Sequence, residues 1–370
     1  MLGSLRFPVE ESRGRRYPEL PHPYRNAFQR DRDRVLHARA FRRLENKTQV
    51  FTSPISDHFR NRLTHTLEVS QVARTAASAL GLDLDFTEAL ALVHDFGHPP
   101  FAHAGEDELN RQMSRFGETF DHNIHALHIV ESFEQRYARF NGLNLTFEVR
   151  EGMAKHSRDF ELGEFPALDG YLPGQRPPLE AQLIDFADEI AYNTADLDDG
   201  FAAGLFTSAD IAAAVPRYAG LADTIEMQFP GATERERFFE VLRLLFDGLV
   251  TGLIQGTARA AVASGAASQE DVRRHPVRLA CFTGEAAAVS RDLKAFLHAR
   301  VYESPALCAE RVHSAAMIAW MFQFYLDHPG ELPAGYAGQT ASQPLHRVVC
   351  DYIAGMTDGF FLRTYQRLAP

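Results

Sequence analysis

Ala89-Leu90-Ala91-Leu92-Val93-His94-Asp95-Phe96-Gly97-His98-Pro99-Pro100-Phe101-Ala102-His103 is the stretch on which the reading of this chain turns. It begins as a helix. Asp85-Phe86-Thr87-Glu88 has the form of a capping box and opens into Leu90, Leu92 and Val93. Gly97-His98-Pro99-Pro100 must end that helix, because proline lacks the N–H that a helix interior needs. Neighbouring helical residues point about 100° apart. His94 and Asp95 can therefore converge on one ion only at such a helix end.

Two further residues complete a ligand set. His65 lies in a segment, 62–80, whose apolar positions Leu63, Leu67, Val72, Ala76 and Leu80 predict a helix closed by Gly81. Asp188 lies in a helix that should follow Pro177-Pro178 and run to about 197. Two imidazoles and two carboxylates (His65, His94, Asp95, Asp188) suit a divalent ion of borderline or hard character: Mn, Mg, Fe, Ni or Zn. An isolated His-Asp pair is commonplace and says little. The ordered set H…HD…D, each member on a predicted helix, is far more specific, and one ion would tie three helices together.

The rest of the pattern is helix after helix, with no series of alternating strands and no 20–50-residue repeat. Helices are predicted over 31–46 and 122–138, and a loop over 159–178. The remainder, 208–370, reads as helical with breaks near 229–231, 263–267 and 328–341, and a flexible insertion near 329–343. The expected organisation is an N-terminal arm (1–30), a metal-binding helical core (31–205) and a helical C-terminal region (206–370) packed on it. The expected fold class is all-α.

Composition narrows the function. With 370 residues, 45% of them hydrophobic, a large core is available. No stretch approaches the ~20 apolar residues needed to span a bilayer, and Met1 to Glu10 lacks the basic and apolar regions of a secretory signal. Cys281, Cys308 and Cys350 are far apart, which fits a reducing compartment and a cytoplasmic location. The net charge of −11 argues against stable nucleic-acid binding. Arginines between Arg13 and Arg43 form a local basic cluster, read as a solvated arm and helix face ahead of a polyanion site. Nine of the sixteen histidines lie between His58 and His156, and that crowding marks where the chemistry is.

The motifs resemble those of the HD phosphohydrolase superfamily and, within it, the deoxyguanosinetriphosphate triphosphohydrolase-like family. The resemblance rests on Arg60 to Val69, His94 to Glu106 and Ala187 to Tyr192. Phe41-Arg42-Arg43-Leu44 with Lys47-Thr48-Gln49-Val50-Phe51, and Arg150-Glu151-Gly152 with Lys155-His156-Ser157, extend it. Departures include Ala102, where the family commonly has Gly, and His125 and His128, where Gln and Arg are common. The resemblance implies an HD helical bundle with additional C-terminal helices. It also implies metal-dependent cleavage of a dNTP into deoxynucleoside and tripolyphosphate.

It further implies that His103 and Glu106 form a catalytic acid pair, with His122 as rival proton donor, and that His98 and His122 contact phosphates. Tyr192 would lie against the sugar, Asp196 would accept from the 3′-hydroxyl, and Gln49 and Val50 would approach base and sugar. Arg62, one helical turn before His65, would present a guanidinium to a phosphate. The family also implies a homo-oligomer and a possible nucleotide effector. From spacing alone, Asp185, Asp188, Tyr192 and Asp196 fall on one stripe of one helix. Other HD chemistry (a 5′-nucleotidase or phosphodiesterase) or a non-catalytic nucleotide sensor would share the four ligands without needing Arg62, Tyr192 and Asp196.

Overall fold

Asn61 and Gly81 set the limits of the helix on which the others are laid. In the computed structural model, which describes residues 2–50 and 59–369, the Asn61 side chain accepts from the Thr64 amide and Thr64 returns the bond; helix α3 (Arg62–Leu80) follows. Gly81, at φ 80°, ends it in the left-handed conformation that glycine takes without a Cβ clash. Phe51 and His58, both noted in the sequence, lie outside the described residues.

Upstream, α1 (Ala27–Leu36) and α2 (Arg39–Arg43) replace the single helix expected over 31–46. The chain breaks at His37-Ala38 because the Glu134 carboxylate takes the free Ala40 amide at 2.7 Å, starting a new helix. After α3 comes α4 (Leu84–Val93), capped by Asp83, whose side chain accepts from Phe86 at 2.9 Å. The Asp85–Glu88 box is thus not the cap: both carboxylates instead meet Arg32, and Glu88 also meets Arg74. Helices α5 (Ala102–Ser114), α6 (His122–His128) and α7 (Phe147–Ala154) follow. The helix expected over 122–138 stops at Phe133 after a π turn. There the chain folds back and Leu143 donates to the Val130 carbonyl at 2.6 Å. Helix α8 (Leu179–Ala202) crosses α3 and α4, and α1 lies on α4 through Phe28, stacked on Phe86 at 4.4 Å.

The C-terminal half adds α9 (Ser208–Ala214), α10 (Pro216–Gln228), α11 (Glu234–Ser264), α12 (Gln269–Arg274) and α13 (Gly284–Leu297). Then come α14 (Pro305–Asp327), α15 (Ala334–Ala337), α16 (Leu345–Ala354) and α17 (Asp358–Leu368). The breaks near 230 and at Gly265 fall where expected. The segment read as a flexible insertion takes short helical turns and buries Leu332. The fold is all-α, with no strand among the described residues, and no helix there is long and apolar enough to cross a membrane.

Two apolar cores result. The larger is shared by α1, α3, α4 and α8 with α11 and α13. The smaller joins Leu109 and Met113 of α5 to α14, α16 and α17. The basic N-terminal cluster is not a solvated arm throughout. Leu5 and Phe7 are buried, Arg15 pairs with buried Asp31, and Arg34 reaches Glu19 and the carbonyls of Leu143 and Asn144. Burying these guanidiniums is tolerable because each has a carboxylate or carbonyl partner.

Glu180, at the start of α8, is buried behind this arm. One of its oxygens accepts the amides of Phe7 and Asp83 at 3.0 and 3.1 Å; the other has no partner. Burial outweighs those bonds and pushes its pKa up to about 7 from 4.5. A raised carboxyl binds its proton more tightly in the folded state. Its stability contribution is therefore full in acid and is lost as pH climbs from about 4.5 through about 7. We predict that Glu180→Gln, which keeps the accepting oxygen and carries no charge, stabilises the protein at pH 8.5 by on the order of 1–3 kcal/mol. The gain should vanish near pH 4.5. Thermal melts across that range are the test, and a lower melting temperature for the variant at pH 8.5 would contradict it.

Candidate active site

Helices α3, α4 and α8 bring His65, His94 and Asp188 together. Their ligand atoms lie within 4.8 Å of one another, an arrangement able to hold a metal ion. His65 Nε2 is 2.8 Å from Asp188 Oδ1. His94 sits at the very end of α4, where its Nδ1 bonds to the Ala91 carbonyl at 2.7 Å. That bond fixes the tautomer: Nδ1 carries the proton and Nε2 keeps a lone pair. Nε2 is buried without a hydrogen-bond partner, 3.6 Å from Asp95 Oδ1 and 3.9 Å from Asp188 Oδ1. Burial lowers the His94 pKa and so favours the neutral ligand form. An orphaned imidazole nitrogen facing two carboxylates fits a divalent cation.

Asp95 is more deeply committed than the other members. It is buried, with Arg62 Nη1 2.8 Å from Oδ2 and His98 Nδ1 2.9 Å from Oδ1. Burial opposes its ionisation, but Arg62 and His98 hold it well below the usual carboxylate range. Arg62, expected to face a phosphate, here pairs with Asp95. His98 is pushed far down by burial, Arg62 and His122, so it is neutral at physiological pH.

A second cluster adjoins the first. His98 stacks on His122 with centroids 4.1 Å apart, and His98, His103 and Glu106 come close enough to share a ligand. Glu106 grips His122, not His103: it takes the His122 ring nitrogen at 2.6 Å and its backbone amide at 3.0 Å. His103 Nδ1 stands 3.7 Å from Glu106, with its side chain 78% exposed. The i, i+3 spacing of His103 and Glu106 was legible in the sequence. The competing claim of His122, from the first turn of another helix, was not. Gly97 permits this approach: a Cβ there would lie 1.8 Å from the His122 carbonyl oxygen.

The stripe on α8 is real, since α8 spans Asp185 to Asp196 without a break. Asp185 holds His156 Nδ1 at 2.7 Å, and the His156 ring meets His94 with centroids 5.5 Å apart. Asp196 is buried and pushed up to about 7 by that burial. Tyr192 is raised by burial and by the neighbouring carboxylates Glu189, Asp188 and Asp196. Gln49 has a buried Oε1 without a partner among the described residues, and half-buried Val50 packs on the larger core. His125 is buried beside Asp351, at 3.4 Å, away from the metal set, while His128 rests against Phe133.

The HD domain family matches residues 62–193, and the phosphohydrolase-associated domain matches 280–367. A deoxyguanosinetriphosphate triphosphohydrolase-like protein of Ruegeria sp. (strain TM1040) is 43% identical, covering 97% of this chain and 97% of its own. One from Geobacter sulfurreducens is 43% identical over 96% of this chain and 92% of its own; one from Bordetella pertussis is 41% identical over 99% and 96%. The chain belongs to the deoxyguanosinetriphosphate triphosphohydrolase-like family. It is an HD-domain phosphohydrolase.

Sequence reasoning missed how the second half of the chain reaches this site. Arg278 pairs with Asp185, the carboxylate behind His156. Asp358 accepts from the amides of Thr48 and Phe101 at 2.8 and 3.1 Å. Buried Lys47 donates to the carbonyls of His98 and Ala354. Tyr302 donates to Asp196. Single Arg, Asp, Lys or Tyr residues in helical sequence carry no local signal that could have found them.

The departure at Ala102 has a physical reading. Phe101 and Ala102, which launch α5, have φ of 62° and 52°. A Cβ in the left-handed region costs about 1 kcal/mol. Ala102→Gly is therefore predicted to raise stability by about 0.5–1 kcal/mol. It should be read as a higher urea midpoint with unchanged slope; an unchanged or lower midpoint counts against strain at this turn.

Proposed function

We propose that the chain hydrolyses deoxynucleoside triphosphates to deoxynucleoside and tripolyphosphate. The observation that carries this reading is the run of Asp188, Tyr192 and Asp196 along α8. It sets a candidate metal ligand, an aromatic ring and a hydrogen-bonding carboxyl in line over about 12 Å, at the helical rise. That is an arrangement for phosphate, sugar face and 3′-hydroxyl in that order. The family names agree with a nucleoside triphosphate as substrate.

His65, His94, Asp95 and Asp188 would hold a divalent ion, for which we propose Mn, Mg, Fe, Ni or Zn. Once bound, such an ion supplies an activated water and offsets phosphoryl charge. The chain's own residues do the rest. Neutral His98 presents an imidazole beside the metal set toward the α-phosphate. His122, fixed by Glu106, does the same from α6. Breaking the bond between the α-phosphorus and the 5′-oxygen leaves an alkoxide, a poor leaving group that needs a proton. His103 is the proposed donor, because its exposed ring is the one free to meet a ligand. Glu106, which holds His122, stands 3.7 Å from His103 and would offset the charge of a protonated ring there. Catalytic hydrogen bonds are often long before substrate binds, so the 3.7 Å separation of His103 and Glu106 does not oppose this. Tyr192 beneath the sugar leaves little room for a 2′-hydroxyl.

Product analysis tests the reaction. Tripolyphosphate and deoxynucleoside are expected from dNTPs, with rNTPs turned over poorly. Orthophosphate release, or equal rates on dGTP and GTP, refutes the assignment. Asp188→Ala is expected to lose most of the bound metal, measured by elemental analysis, and nearly all activity; full metal content in that variant removes Asp188 from the ligand set. His103→Ala should keep the metal yet lose roughly 10²–10⁴ in rate on dNTP. It should lose much less on a p-nitrophenyl phosphate ester, whose leaving group needs little protonation. Equal slowing of both substrates transfers the donor role to His122. We also propose a homo-oligomer in the cytoplasm, open to a nucleotide effector; light scattering that shows an active monomer at working concentration refutes the assembly.

A further inference from the structure

His98, His103 and Glu106 form a second group of possible ligands, apart from the His65, His94 and Asp188 set. One ring nitrogen from each histidine and one oxygen of Glu106 lie within 4.8 Å of one another. Two elements build the group: His103 and Glu106 lie one turn apart at the start of α5, and His98 lies on the turn before it. The two Glu106 oxygens are divided between tasks. Oε1 accepts from the His122 ring and amide at 2.6 and 3.0 Å, which leaves Oε2 facing His103 Nδ1 at 3.7 Å. That separation is too long for a hydrogen bond. It is close to the spacing of two ligands on one tetrahedral ion, about 3.4 Å for bonds of about 2.1 Å. His98 anchors the group, since it is buried and its Nδ1 lies 2.9 Å from Asp95 Oδ1. Exposed His103 opens it to solvent, so an ion reaches these ligands without any helix moving.

We propose that His98, His103 and Glu106 are a second metal site, selective for zinc, whose occupation inhibits hydrolysis. Two imidazoles and one carboxylate with a fourth position open make a set that suits zinc. The first set has two carboxylates for its two imidazoles and accepts harder ions. For nitrogen-rich sites manganese stands at the weak end of the affinity order and zinc near the strong end. With a single carboxylate to offset the charge, the second site is the weaker of the two and fills only when zinc is in excess. The inhibition rests on the donor reading given above. A histidine whose lone pair is given to an ion cannot also be an imidazolium. Zinc on His103 therefore removes the acid that helps expel the 5′-oxygen.

Equilibrium dialysis of the full-length manganese-loaded protein against zinc, followed by elemental analysis, tests the site. The sum of manganese and zinc should rise from about one to about two ions per chain. His103→Ala, a change at an exposed position, should hold the sum at about one, and Asp188→Ala should lose the first ion and still take up about one zinc. A sum that does not rise in the unsubstituted chain, or that rises as far in His103→Ala, overturns the site. Kinetics test the inhibition. Zinc at the level that fills the second site should slow dNTP hydrolysis at least about tenfold, within the worth of a general acid. The residual activity of His103→Ala should be insensitive to the same zinc. Unchanged turnover with the second site filled, or equal slowing of that variant, overturns the inhibition. The donor reading stands or falls separately, on the two-substrate comparison of His103→Ala, which involves no zinc.

Discussion

Asp95 is a carboxylate buried at a helix end, and most of the site follows from the need to compensate it. An ionised carboxylate cannot be taken out of water unpaired, since the desolvation cost is several kcal/mol or more. Arg62 from α3 supplies that compensation at 2.8 Å, and His98 from the turn after α4 lies 2.9 Å from the other oxygen. The guanidinium fixes where α3 stands relative to α4. His98 in turn fixes the turn on which it sits, and Lys47 secures the same turn by donating to the His98 carbonyl. Once α3 and α4 are so placed, His65 and His94 face each other with ring centroids 5.8 Å apart, and α8 brings Asp188 between them. The candidate metal set is thus a consequence of helix packing around one buried charge.

The same logic separates the histidines. His94 and His98 are held neutral by burial, while His65 and His156 are raised because the bonds to Asp188 and Asp185 outweigh burial. The balance between burial and a bonded carboxylate thus falls one way for His94 and His98 and the other way for His65 and His156. Neutral rings can offer a lone pair to an ion or donate their N–H to a phosphate oxygen, and carboxylate-backed rings can carry a proton. The two clusters adjoin, with the His98 ring stacked on that of His122. That closeness suits a reaction in which charge and a proton must be handled at opposite ends of one phosphoryl group.

The C-terminal region completes the cleft instead of merely covering it. Asp358 accepts from the amides of Thr48 and Phe101 and so ties the Gln49 segment to the start of α5. Arg278 stands behind Asp185 and His156, and Tyr302 behind Asp196. Three positions far apart in sequence thus buttress two side chains of α8 and two backbone amides near the site. The apolar cores reflect this division. The larger one ties α11 and α13 to α3 and α8, and the smaller one locks α14, α16 and α17 onto α5, the helix that carries His103 and Glu106.

What could be read in the sequence was local or periodic. Helix α3 from Asn61 to Gly81, the stop after His94, the stripe on α8 and the order His65, His94-Asp95, Asp188 all depend on spacings of a few residues and on capping chemistry. Such signals survive in a one-dimensional string because backbone geometry converts them directly into direction. Errors arose where a distant group overrode the local pattern: Glu134 broke the helix expected over 31–46, and Asp83 displaced the Asp85 cap. Only the tertiary structure decided that Glu106 grips His122, that Arg62 is spent on Asp95, and that Tyr302 reaches Asp196. In each case a side chain had more than one possible partner, and the choice was made by which helix the packing of the cores brought alongside.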